Sequence, residues 1–264
     1  MIGSGGTSVR HALVESGLPA HWKDLEESVA RILRECGFHV EVGKSVKSAR
    51  GSVEFDVYAQ DGSISPPTTL IVECKHWGRA VPQGEVHKFR ATLTDVGANV
   101  GFLVSSAGFQ SGAHGAALYS NVRLMDWEEF QSTFAERWYQ HFMLDVIREE
   151  ARRVIECAGG ASFGFMMEVF PLPQDRQVRA MDLASKHANI ARFASSLLWF
   201  DGAIAHEEPR MLRLPLRSSY ETHLKKWSPL PDDVLDAPAL RSLLAALVNH
   251  FRKAASDFDT VIWG

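Results

Sequence analysis

Three cysteines in 264 residues, Cys36, Cys74 and Cys157, are too few and too far apart to staple a fold, and none sits in a CxxC or Cys/His pair with zinc-site spacing. They suit a reduced, cytoplasmic setting. No stretch approaches the ~20 apolar residues of a membrane-spanning helix, and the opening MIGSGGTSVR lacks the apolar core of a signal peptide. No membrane association is expected, and residues 1–20 are expected to be a flexible tail. Positive charge is short as well. The formal net charge of −4 excludes a globally basic surface and leaves any nucleic-acid contact to local patches. Neither an internal repeat nor a low-complexity tract occurs, and the absence of a GxxxxGK[ST] phosphate loop means that any use of ATP would need a separate subunit.

What is present is a composition with 45% hydrophobic and 23% charged residues, enough apolar material for a sizeable buried core. Leu25, Val29, Ile32 and Leu33 recur at helical spacing, and Gly37 follows where a helix would end. Phe38 to Val42 alternates as a strand, Gly43 to Ser52 reads as a basic loop, and Val53 to Tyr58 and Thr69 to Lys75 read as the two strands of a hairpin. Pro82 to Asp95 returns to helical spacing. Val100 to Ser105 and Val122 to Met125 read as further strands, with a short helix between them. Asp126 is placed to cap a long helix running toward Cys157. The order αβββαβαβα implies an α/β fold, a mixed sheet flanked by helices. Beyond Gly159-Gly160 the prolines multiply while residues 179–198 and 236–255 keep helical periodicity. The expected division is a core domain at 21–158 and a helix-rich C-terminal appendage at 159–264.

The chemistry sits on the third strand. Side chains at i and i+2 share a face, so Ile71, Glu73 and Lys75 point one way and Leu70, Val72 and Cys74 the other. Asp56 on the hairpin partner is placed to converge on Glu73 across the strands. Two carboxylates and a lysine in one place can hold a hard cation such as Mg²⁺ and orient a water toward a phosphodiester. The competing explanation is an ordinary ion pair on a solvated strand face. Against it, Leu70-Ile71-Val72 reads as a buried strand whose polarity switches at its C-terminal end, where open α/β sheets carry their sites.

From about Trp22 to Phe130 the chain resembles the Mrr-like restriction endonucleases, a branch of the PD-(D/E)xK nuclease superfamily. The resemblance rests on DLEESVARILRECGFHV, on EFD, on VECK and on GFLVSSAGFQSGAHGAA, in that order. It implies a restriction-endonuclease-like fold and metal-dependent hydrolysis of DNA in restriction or anti-phage defence. It further implies Asp56 and Glu73 as Mg²⁺ ligands, Mn²⁺ substituting, and Lys75 as the catalytic lysine. Glu26 occupies the position of an acidic residue on the family's first helix that adds a metal or water contact, and Gln83 that of a polar residue assisting the site. At the position of the family's tyrosine four residues later this chain has His87, and the glycine usual beside the first aspartate is missing. Lys44, Lys47 and Arg50 form a basic run suited to gripping a phosphate backbone, and Ser105 and Ser106 end a strand where hydroxyls can touch phosphate. Double-stranded DNA is the expected partner, in a homodimer with one site per strand, with a further protein or signal acting through the appendage. Two other readings stay open. One is a non-catalytic nucleic-acid-binding or assembly module on a nuclease-like scaffold. The other is a nuclease acting on RNA or repair intermediates.

Overall fold

A computed structural model describes residues 12–48, 51–160, 162–203, 212–218 and 230–264. Its contacts divide the chain into two compact units, Gly17–Trp138 and a second made of Met1–Ser16 with Tyr139–Gly264.

The first unit is a five-stranded mixed sheet in the order β1-β2-β3-β4-β5, with β1 His39–Ser48, β2 Gly51–Asp61, β3 Thr68–Lys75, β4 Val100–Ser105 and β5 Val122–Met125. The first three strands are antiparallel neighbours; β3–β4 and β4–β5 are parallel. Four helices, α1 Trp22–Glu35, α2 Gln83–Val96, α3 Ser111–Ala117 and α4 Trp127–Trp138, complete the expected αβββαβαβα order. α1 forms because its apolar residues repeat on one stripe. Leu25, Val29, Ile32 and Leu33 are fully buried, each worth roughly 1.5–3 kcal/mol relative to exposure. The Asp24 carboxylate accepts the His21 amide at 3.1 Å across its first turn. At the start of α4, Asp126 accepts the Glu129 amide and Glu129 accepts that of Asp126, at 2.8 and 2.9 Å, a reciprocal cap.

The two faces of the sheet sort by alternation along β4. Phe102 meets Phe130 and Phe134 of α4 edge-on, and Phe134 in turn meets Phe38. Leu103 faces the other way, into a core with Ile71 of β3, Val86, Phe89 and Leu93 of α2, and Ala113 and Ala116 of α3. α2 lies very close to the sheet where β4 carries Gly101. A Cβ built there would come within 2.2 Å of Leu93 and 2.7 Å of Phe89.

Two expectations change here. The basic stretch at Gly43 is not a loop: β1 continues through it, pairing Lys44 with Phe55, Lys47 with Ser52 and Ser48 with Gly51 of β2. The domain limits also differ. Residues 12–20 are packed rather than a free tail: Val14 is buried, and the amides of Leu240 and Arg241 donate to the carbonyls of Leu13 and Val14, each at 2.9 Å. At the other limit the division falls between Trp138 and Tyr139, not after residue 158. The helices after Met143, α5 Leu144–Glu150 and α6 Arg152–Ala158, pack with α8 Gln174–Ala203 and the C-terminal helix Leu240–Trp263. Arg153 of α6 bonds Glu168 of α7 (Phe163–Val169) at 2.9 Å and Asp259 of the C-terminal helix at 3.2 Å. The helix-rich C-terminal region is as expected. Among the described residues no helix is long and apolar enough to cross a membrane.

Gly101→Ala should therefore over-pack the α2–β4 contact and lower unfolding stability by roughly 1–3 kcal/mol in urea titration. An unchanged midpoint would show that α2 can move away from β4 without loss.

Candidate active site

β3 lies in the middle of the sheet, and its buried Leu70-Ile71-Val72 run fixes where Glu73 and Lys75 emerge. The β2–β3 ladder runs from Asp61–Thr68 to Val57–Val72. One residue beyond, Asp56 reaches across with its side chain, and its Oδ2 accepts the backbone N–H of Cys74 at 2.7 Å. That bond fixes the Asp56 carboxylate beside Glu73. Lys75 Nζ donates to Glu73 Oε1 at 2.7 Å and lies 5.4 Å from the centroid of the Trp77 ring.

Electrostatics reports the same convergence. Burial, offset by the Cys74 amide and Lys75, raises the Asp56 pKa. Burial and then Asp56 raise that of Glu73, against the pull of Lys75. On α1, burial followed by the negative charges of Asp56 and Glu73 pushes Glu26 up to about 7. Burial works to lower the Lys75 ammonium, but Glu73, Asp56 and Glu85 outweigh it and hold its pKa above the usual value. Burial raises all three carboxyls, Asp56 adds to the rise at Glu73, and both add to the rise at Glu26, so the cluster carries negative charge that a hard divalent cation would offset. Among the described residues, however, no three His, Cys, Asp or Glu side chains are grouped closely enough to hold a metal ion between them.

Asp56, Glu73, Lys75 and Glu26 thus come together. The remaining candidates are placed differently. Gln83 is exposed at the start of α2, with its side chain 3.0 Å from the His87 ring nitrogen and against Gly112 of α3. Lys44 donates to Glu41 at 2.6 Å and lies 3.8 Å above the Tyr58 ring, so its charge is engaged within the hairpin. Lys47 is exposed on β1, and Arg50 lies outside the described residues.

The two serines require a correction. Ser105 is fully buried and donates to the Gly108 carbonyl at 3.0 Å, so it serves the turn after β4 and cannot meet a phosphate. Ser106 donates to the carbonyl of Trp77 at 3.2 Å and to that of Lys75 at 3.4 Å, tying down the end of β3. Two residues were missed: Glu85 and Lys88 of α2 line the cleft beside Glu73 and Lys75. A larger, open groove lies in the helical unit between α8 and the C-terminal helix. Its charges, Arg179, Asp182, Lys186 and Asp257, belong to exposed helix faces, and no such cluster of buried carboxylates occurs there.

A carboxyl whose folded pKa stands above its unfolded value stabilises the fold fully below that unfolded value, about 4.5 for Glu26, and loses this contribution as pH rises through about 7. In EDTA the wild type should therefore lose stability between about pH 5 and pH 8. Glu26→Gln should become the more stable protein at the upper end, by on the order of 1 kcal/mol after solvent screening. Thermal unfolding across that range checks this; parallel curves for the two proteins would separate Glu26 from the cluster.

Comparison with known proteins gives a match between residues 19–134 and the family model Mrr_cat, described as restriction endonuclease. No curated protein is significantly similar to the chain. Among solved structures, a protein of unknown function, AF1548, is 17% identical at a TM-score of 0.38, over 66% of this chain and all of its own. The MspJI restriction endonuclease, solved in complex with a 27-mer oligonucleotide, is 23% identical at a TM-score of 0.31, over 45% of this chain and 28% of its own.

Proposed function

We propose that the chain, whose residues 19–134 match the restriction endonuclease family model Mrr_cat, is a metal-dependent endonuclease hydrolysing phosphodiester bonds of double-stranded DNA, in restriction or anti-phage defence. The observation that carries this reading is the convergence of Asp56, Glu73 and Lys75 at the end of a central buried strand. Mg²⁺, or Mn²⁺ in its place, would be held by Asp56 and Glu73 and would supply Lewis acidity at the scissile phosphate. The Cys74 amide occupies one oxygen of Asp56 and leaves the other for a cation. Lys75 has three donors and spends one on Glu73, which leaves others to orient a water and to meet the charge that builds on the phosphate oxygens. The half-buried setting strengthens each of these interactions over its value in water. Three free, buried cysteines suit a reducing cytoplasm.

Cutting both strands of a duplex takes two such sites, which favours a homodimer. Phe163, Met167 and Phe170, spaced along one helical face of the second unit and all exposed, offer apolar surface of the kind self-association covers. Sedimentation at rising concentration should show a dimer; a strict monomer with and without DNA would rule it out. A target, partner protein or signal would act through the helix-rich C-terminal region.

The direct test is cleavage of plasmid and of RNA by purified protein in Mg²⁺ or Mn²⁺ against EDTA, with Glu73→Ala and Lys75→Ala alongside. Metal-dependent cutting of plasmid should fall by at least about 100-fold in both variants. Cutting of RNA alone would reassign the substrate, and a wild type that neither binds metal nor cuts would leave the scaffold reading.

A further inference from the structure

α2 faces the site with charges that complement it. β3 carries Glu73 and Lys75; α2 carries Glu85 and, one turn later, Lys88, and all four line one cleft. Glu85 Oε2 is 4.0 Å from Lys75 Nζ, whose other carboxylate neighbour, Glu73 Oε1, is at 2.7 Å. The positive charge of Lys88 acts in turn on Glu73. The Lys75 side chain is only 14% exposed; Asp56 also acts on its ammonium, but Glu73 and Glu85 are the carboxylates within 4.0 Å of it.

That arrangement answers a difficulty in the reading above. Glu73 is needed as a cation ligand, yet it is also the closest partner of the lysine. An ammonium held by Glu73 alone would follow that carboxylate wherever its other tasks drew it. Glu85 stands on a different element, fixed by the packing of Phe89 and Leu93 against Gly101, and gives Lys75 a second partner independent of Glu73. Resting on the nuclease reading, we propose that Glu85 is a positioning residue that holds the Lys75 ammonium in place for catalysis.

A carboxylate in the first turn of a helix also suits the helix dipole. Loss of that role alone would appear in stability and leave the rate untouched. The experiment compares wild type, Glu85→Gln and Glu85→Ala in three measurements: thermal unfolding, steady-state plasmid cleavage in Mg²⁺, and the ¹H–¹⁵N signal of the Lys75 ammonium, assigned by its absence in Lys75→Arg. Glu85→Ala should lower kcat by about 10- to 100-fold with KM within about twofold. Glu85→Gln keeps an acceptor oxygen and should lose less. The ammonium signal should be sharp in wild type, weaker in Glu85→Gln and lost in Glu85→Ala. Should the wild type cut nothing while the signal still follows Glu85, the contact stands and it is the nuclease reading that fails. A wild-type signal too fast in exchange to observe, a signal indifferent to Glu85, or a kcat unmoved in Glu85→Ala would each overturn the proposal.

Discussion

Like charges crowded at the half-buried end of a strand are the constraint around which the rest of the sheet unit is arranged. Burial raises the cost of ionising Glu26, Asp56 and Glu73, and the charge of Asp56 adds to it at Glu73 and, with Glu73, at Glu26. A chain selected for stability alone would separate them. Here they are held together from three elements, α1, β2 and β3, and the compensations are specific. The Cys74 amide bonds Asp56, and Lys75 bonds Glu73. Such concentrated unfavourable charge is characteristic of sites that bind cations or move protons, since a ligand supplies the missing charge.

Holding that arrangement depends on packing some distance away. Ser106 ties the carbonyls of Lys75 and Trp77 to the end of β4, and Ser105 closes the following turn from within, so the last residues of β3 cannot fray. On the α2 side, Gly101 removes a side chain where Phe89 and Leu93 must come down on the sheet. The first turn of α2 is thereby brought within reach of Lys75, which joins a glycine in β4 to the electrostatics of a lysine in β3. Protein interiors transmit displacement in this way because they are close-packed and have little void to absorb it.

How much of this was legible in the sequence follows from the range of each interaction. The order of strands and helices and the shared face of Glu73 and Lys75 rest on local periodicity, which one chain displays directly. Asp56 was placed beside Glu73 by hairpin pairing, still a short-range argument. Lys44 and Lys47 were misread as a loop because Gly43, with its positive φ, interrupts the alternation while the backbone pairing to β2 continues past it. Ser105 and Ser106 carry the residue type of a phosphate contact, but only the fold shows that buried carbonyls claim their hydroxyls. Glu85 and Lys88 gave no signal at all. On a helix they read as solvated charge, and their relation to β3 exists only once α2 is packed.

The division of the chain carries its own lesson about the appendage. The break in composition at Gly159-Gly160 suggests that residues up to 158 belong with the sheet. Yet Ile147 and Val154 are buried in helices that pack with α8 and the C-terminal helix, and the Leu13–Val14 backbone bonds the first turn of that last helix. The helical unit is therefore built from both ends of the described chain, with the sheet unit between them in sequence. A fragment ending at 158 would keep α5 and α6 without the helices that bury them, and would leave residues 12–16 without the helix they cap. Composition marks where proline and glycine accumulate; which helices share a core is decided by long-range packing that no local window contains.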